Sequence, residues 1–322
     1  MRYELGTSPA QRDAFGAVLL ELVTADPRVI VLDGDLANST KTDVVARARP
    51  DRFLQMGIAE QNLVGVAAGL ATLGFIPWCA TFASFISSRD LDQVRVVVAQ
   101  PGLGVKLAGC YGGLLTGKTG KTHQDIWDLA VMRAIPGMMV VAPADANELA
   151  AVMEVTTALP GPTYVRVTRD PSPVIFPPDY TFDPGRAIVL RQGGDVTIIS
   201  TGVQTTRVLE AAEILDRRGV QAFVLHVPTV KPIDTTAIVD AAVATGMVVT
   251  VEEHTVIGGL GSAVAEVLGE RRPTPMRLIG IDDRFGTSAP NDEMLSAFGL
   301  VPQQLADAVG DFHSFQSGGG ST

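Results

Sequence analysis

Apolar residues come along this chain in two rhythms. Short unbroken apolar runs, closed by Gly, Asp or Pro, alternate with stretches where apolar positions return every three or four residues. The runs predict strands buried on both faces, and the second spacing predicts helices packed on them. On this basis VIVLDGDL (29–36), FLQMG (53–57), FIPWCAT (75–81), LGVKLAG (103–109), MMVVAPA (138–144) and PTYVRVT (162–168) read as strands. Helices are expected at 9–25, 42–48, 59–73, 88–98, 125–135 and 146–158, the last capped by Asp145. Residues 171–185 carry five prolines and read as a linker. The alternation then resumes, with strands at 195–200, 221–226, 247–252 and 276–281 and helices at 204–217, 234–244 and 260–269.

Alternating strands and helices give an α/β fold class with two doubly wound domains and mainly parallel sheets. The expected division is a first domain over 1–170, a Pro-rich linker over 171–185, a second domain over 186–311 and a flexible tail over 312–322. Sites on such sheets lie past the carboxyl ends of strands. Asp35, Ser39, Glu60, Phe82, the 111–123 loop and Arg169 all fall there.

One stretch organises the candidate chemistry: QMGIAEQNLVGVAAGLATLGFIPWCATFASF, residues 55–85. Leu63, Val64, Val66, Ala67, Leu70 and Ala71 recur at helical spacing, and Gly65, Ala68 and Gly69 leave one side nearly bare. A helix apolar almost all round is expected to be buried. Glu60 then sits on the first turn of a buried helix, where the dipole favours negative charge and desolvation opposes it. Read alone, Glu60 is either a helix-start acid bonded to backbone amides or an acid able to share a proton in a dry site. Phe82 and Phe85, read alone, are core aromatics.

GIAEQNLVGVAAGLA, then TFASF, then TGKTHQD at 119–125 with its neighbours, resembles the pyrimidine-binding half of transketolases. The resemblance implies that Glu60 holds the pyrimidine ring nitrogen of thiamine diphosphate and promotes the tautomer that deprotonates the thiazolium carbon. That chemistry needs an acid sharing a proton in a dry site. It also implies that Phe82 and Phe85 wall the pyrimidine, where ring faces stack. His123, in the KTHQD run, is implied to lie beside the substrate carbonyl, steadying a developing oxyanion and moving protons. By their local patterns Arg12 (SPAQRDAF), Ser39 (LDGDLANST) and Arg169 (YVRVTRDP) align with positions that bind the phosphate end of the sugar. An arginine fork suits that task, and Arg166 is the rival to Arg169. Residues 227–234 and 248–266 resemble the transketolase C-terminal domain. His226, Glu252, Glu253 and His254 are residue types a metal takes. The resemblance gives them turn and interface hydrogen bonds instead, and no metal site is expected in this chain.

Net charge is −10, which argues against nucleic acid or an anionic membrane as the main partner. Cys79 and Cys110 make no disulfide framework. No apolar run is long enough to span a membrane and no signal peptide opens the chain, so the expected location is cytoplasmic. Gly34-Asp35-Leu36 with Asn62 mimics the GDG…N signature for Mg2+ and diphosphate. Leu36 and Leu63 break that pattern, and Asn62 belongs to the Glu60 helix.

A full transketolase carries a diphosphate-binding domain ahead of these two, and this chain shows no such stretch. The implied protein is therefore the C-terminal subunit of a split transketolase, a transferase of carbohydrate metabolism. It would move a two-carbon ketol unit from a ketose to an aldose, sharing thiamine diphosphate with an N-terminal subunit that binds Mg2+, in an α2β2 heterotetramer. The loop YGGLLTGKTGKTHQ departs from the family's approximate HDSIGVGEDGPTHQ. Tyr111 stands for a phosphate-binding His, Lys118 and Thr119 for an acidic pair, and Lys121 for Pro or Ala. These departures imply an unusual sugar bearing a sulfonate, a carboxylate or a differently placed phosphate, or else lysines turned to solvent or to the partner. Three other readings stay open: a 2-oxo acid dehydrogenase beta subunit, a 1-deoxyxylulose-5-phosphate synthase fragment, and a cofactor-less scaffolding or regulatory subunit.

Overall fold

The computed structural model describes residues 2–318, which build two α/β units. In the first, strands β1 (Val29–Asp33), β2 (Phe53–Gln55), β3 (Ile76–Phe82), β4 (Lys106–Cys110), β5 (Met139–Val141) and β6 (Thr163–Val167) form a sheet in the order β5-β6-β4-β3-β1-β2, every pair parallel. Adjacent residues of β1 enter opposite cores. Val29 and Val31 pack with Phe15, Leu19 and Val152, while Ile30 and Leu32 pack with Leu63, Ala67 and Leu129. Both faces are therefore apolar, which is why these strands read as continuous runs.

The second unit holds β7 (Ile188–Arg191), β8 (Val196–Ser200), β9 (Ala222–His226), β11 (Val248–Thr255) and β12 (Met276–Ile281), in the order β12-β11-β8-β9-β7. All of its pairs are parallel except β7 with β9. The short strand β10 (Thr229–Lys231) crosses out of this unit and pairs antiparallel with β5, covering the edge of the first sheet. Among the described residues no helix is long and apolar enough to cross a membrane.

Three expectations change. The 171–185 segment is packed rather than free: Val174, Phe176 and Phe182 are buried, and Ile175 and Phe176 donate their amides to the Asp145 carboxylate at 2.6 and 2.8 Å. The tail expected from 312 is instead the end of helix Pro302–Gly318, with Leu305 and Val309 in the second core; residues 319–322 lie outside the described residues. The helix Glu60–Thr72 is buried on one face only. Glu60, Leu63, Val64, Ala67 and Ala68 are covered, while Gln61, Asn62, Gly65 and Gly69 are exposed.

Arg166 is the main cation of the junction between the units. Its Nη2 and Nε donate to Asp128 at 2.9 and 3.0 Å, and its Nη1 donates to the Glu253 carbonyl at 3.0 Å. The Tyr164 hydroxyl gives Asp128 a further bond at 2.6 Å. Arg166→Met leaves the buried Asp128 carboxylate without its counter-ion. The expected cost is about 3–5 kcal/mol, read from urea denaturation; a loss below about 1 kcal/mol would show the pair to be dispensable.

Candidate active site

The aromatic pair and the histidine of the sequence reading meet at the carboxyl end of the first sheet, and Arg89 joins the acid to them. Glu60 opens its helix with its side chain 3% exposed. Its Oε1 accepts from Arg89 Nη1 at 3.0 Å, and the next residue, Gln61, donates from Nε2 to the Arg89 carbonyl at 3.0 Å. The Arg89 guanidinium lies 3.9 Å over the Phe85 ring. Phe82, the last residue of β3, stacks on Phe85 with centroids 5.8 Å apart and planes 23° apart. His123 meets both rings edge-on, with centroids 5.7 Å from each. A cavity of about 590 Å³ opens at Glu60 and Arg89 and is bordered also by Ile58 and Asn62. Ser87, on the Phe85 side, donates to the Asp125 carboxylate, which ties the aromatic pair to the chain just past His123.

The half-buried His123 shares a hydrogen between Nδ1 and Thr122 Oγ1 at 2.9 Å, leaving its other ring nitrogen for chemistry. A buried carboxylate can share a proton, an aromatic face can stack on a flat ring, and an imidazole edge can donate or accept a proton.

The second cluster surrounds Tyr111. This residue sits at φ 67, an unusual backbone state for a bulky side chain, as the 111–123 loop leaves β4. Its ring lies 4.9 Å from Phe82. Its hydroxyl donates to the Ser39 carbonyl and accepts from Ser39 Oγ at 3.3 Å. Burial pushes the Tyr111 phenol above its ordinary value, against the pull of Ser39 and Arg12 hydrogen bonds, so it is a neutral donor at pH 7. Arg12 is partly buried, with its Nε unpartnered, and Arg169 lies 5.8 Å from the Tyr111 ring. Ser39 is held there by Asp33, whose carboxylate accepts from Leu36 N, Thr40 Oγ1 and Thr42 Oγ1 at 2.7, 2.9 and 2.8 Å.

The structure divides the loop lysines. Lys118 and Arg169 border a cavity of about 440 Å³, whereas Lys121 is exposed and borders neither cavity. Thr119 turns its hydroxyl to the Thr116 carbonyl at 3.0 Å, closing a turn. Arg166, the rival to Arg169, is committed to Asp128. Glu253 Oε1 accepts from Leu114 and Leu115 amides at 2.7 and 3.0 Å, and Glu252 accepts from Leu260 and Gly261 amides, both at 2.7 Å. His226 bonds Glu148 at 2.9 Å, and His254 bonds the Thr255 carbonyl at 2.6 Å. Among the described residues no group of three or more His, Cys, Asp or Glu could hold a metal ion.

Sequence reasoning missed Arg89 and Asp90. Arg89 follows the Phe pair in FISSRDLDQ, where nothing local marks it as the partner of an acid 29 residues away. Asp90 is fully buried and neither of its carboxylate oxygens has a partner. Burial first, and then the charge of Glu60, push it from 3.8 to about 8.

Two family models cover most of the chain: "Transketolase, pyrimidine binding domain" matches residues 7–173 and "Transketolase, C-terminal domain" matches 185–305. The chain is 42% identical over 298 residues to the 6-deoxy-6-sulfo-D-fructose transketolase subunit SqwH of Clostridium sp. (strain MSTE9), covering 92% of each. It is 36% identical to the Homo sapiens transketolase, covering 95% of this chain and 49% of that one. A solved structure titled "Split gene transketolase, inactive beta4 tetramer" superposes with a TM-score of 0.87 at 44% identity, over 96% of this chain and 99% of that one.

The raised Asp90 has a consequence for stability. The folded state keeps a proton that the unfolded chain releases above about pH 4, so Asp90 costs stability as pH rises from about 4 to about 8. Asp90→Asn removes that cost. Denaturation should show the variant more stable than wild type by about 5 kcal/mol at pH 9, with the two converging toward pH 4. Parallel pH profiles would contradict the assignment.

Proposed function

The chain belongs to the transketolase family, and we propose that it is the C-terminal subunit of a split, thiamine-diphosphate-dependent transketolase that moves a two-carbon ketol unit from an anionic ketose to an aldose. The observation that carries this reading is the buried Glu60 at a helix start, set beside a stacked Phe82–Phe85 pair with His123 edge-on to both rings. These residues fit the pyrimidine half of the cofactor. Thiamine diphosphate, when bound, supplies a nucleophilic carbon and an electron sink for breaking the ketose carbon–carbon bond.

This chain's own residues do the rest. Glu60 holds the pyrimidine ring nitrogen through a shared proton, and its burial keeps water from competing for that proton. Phe82 and Phe85 wall the ring. His123 donates toward the substrate oxygen as charge develops there. Arg12, Ser39, Arg169 and Lys118 hold the far, anionic end of the sugar, with the Tyr111 hydroxyl fixing Ser39. Thr119 and Lys121 lie farther along the same loop and outside that cavity, Thr119 closing a turn on the Thr116 carbonyl and Lys121 facing solvent.

The diphosphate and Mg2+ belong to an N-terminal partner subunit, in an assembly of the α2β2 type. The solved relative described as an inactive beta4 tetramer supports a chain that needs such a partner. The exposed Gln61, Asn62, Gly65 and Gly69 on the Glu60 helix leave a bare face beside the site for it. A sulfonate- or phosphate-bearing ketose is supported by Lys118 and Arg169 at one cavity and by a relative whose name specifies a sulfo-sugar.

Two measurements test this. Glu60→Gln should still assemble with the partner subunit while kcat/KM for ketol transfer falls by about 10²–10⁴-fold; activity near that of wild type would remove Glu60 from the mechanism. Calorimetry on the chain alone should show no tight, Mg2+-dependent binding of thiamine diphosphate, and nanomolar binding would refute the need for a partner.

A further inference from the structure

We propose that Asn291, from the second unit, is a specificity-determining residue that holds Lys118 and Arg169 around the anionic terminus of the ketose. The proposal rests on the transferase reading above and extends it to a part of the fold outside the pyrimidine-binding half.

The cavity of about 440 Å³ lies where the two units touch, between the loop after β4 and helix Asn291–Ala297. The loop is anchored largely from the second unit. Leu114 and Leu115 give their amides to Glu253. The Lys118 carbonyl accepts from Ser288 Oγ at 2.7 Å, and Gln124 Nε2 bridges Gly117 and Thr287 carbonyls at 3.3 and 2.9 Å. Gly117 has φ +41, and a Cβ there would run into Asn291 Oδ1 and the Ala289 carbonyl. No other residue fits that seat without shifting its neighbours.

Asn291 joins the two cation-bearing segments. Its Nδ2 donates to the Leu115 carbonyl at 3.3 Å and to the Asp170 carboxylate, next in sequence to Arg169. One amide thus fixes the loop of Lys118 to the segment of Arg169. It also takes up a hydrogen-bonding site of the Asp170 carboxylate, whose charge still stands at the cavity against those of Lys118 and Arg169. The Thr116 hydroxyl, buried beside the cavity and without a partner, remains as a neutral donor. Asp292 stands exposed at the rim, where solvent screens its charge. Two cations and a hydroxyl suit a sulfonate or phosphate ester equally in kind, since both present several acceptor oxygens.

The test uses the reconstituted complex with its partner subunit and three ketose donors of matched length: sulfonate-terminated, phosphate-terminated and uncharged. Asn291→Asp keeps the shape but sets a carboxylate against Asp170 and the Leu115 carbonyl. The ratio of kcat/KM for the charged donors to that for the uncharged donor should fall about tenfold. Ser288→Ala, which frees one pin on the Lys118 loop, should lower it by a smaller factor. The charged donor whose value falls further is the cavity's own ligand. An unchanged ratio in both variants, or equal losses on all three donors, overturns the proposal. Inactivity of the wild-type complex on every donor refutes the transferase reading instead. Calorimetry of the sulfonate-terminated and phosphate-terminated ketoses binding to that complex then tests the cavity separately, with about tenfold weaker binding expected in Asn291→Asp and equal binding overturning it.

Discussion

The closure of Arg166 on Asp128 and Glu253 is the constraint on which the rest of the molecule depends. Three donors of one guanidinium meet a carboxylate on a helix of the first unit and a carbonyl on a strand of the second. Removing such a cation from water is expensive, and only near-complete hydrogen bonding offsets that. The demand reaches the neighbouring backbone, because a Cβ at Gly112 would clash with Arg166 Nε. The Glu253 side chain, set by the same junction, then receives the Leu114 and Leu115 amides. The loop carrying Lys118 and leading to His123 therefore starts from a position fixed between the units.

The same logic separates the acids of the site. Glu60 is buried but has the Arg89 cation, whereas its neighbour Asp90 is buried with nothing to bond. Burial without a bonding partner is what holds the Asp90 proton. Arg89 is half-exposed, so its attraction for Glu60 is screened and its guanidinium is held as much by the Phe85 face.

The helix behind Glu60 has two unlike faces. One face packs Leu63, Val64 and Ala67 into the core, and the other shows glycines to solvent, flanked by the exposed Ile58 and Leu73. An apolar pattern all round a helix states that both faces want cover, but it does not state that one chain provides it. In the proposed assembly the partner subunit meets that bare face.

The sequence by itself determined the parallel strands and the helices between them, because each is written in a short window as a continuous apolar run or a three-to-four spacing. It also determined which residues to examine, since Glu60, Phe82, Phe85 and His123 lie in short motifs; the structure brings the three rings together and joins Glu60 to them through Arg89. Only the tertiary structure decided the antiparallel strands β7 and β10, which are short, sit at sheet edges and take their hydrogen bonds from distant segments. It alone decided that Arg166 is a junction cation and Lys121 stands apart from the cavities, and that Arg89 and Asp90 belong to the site and Asn291 to the Lys118 cavity. The physical reason is that periodicity depends on neighbours along the chain. Desolvation, ion pairing and the walls of a cavity depend on neighbours in space.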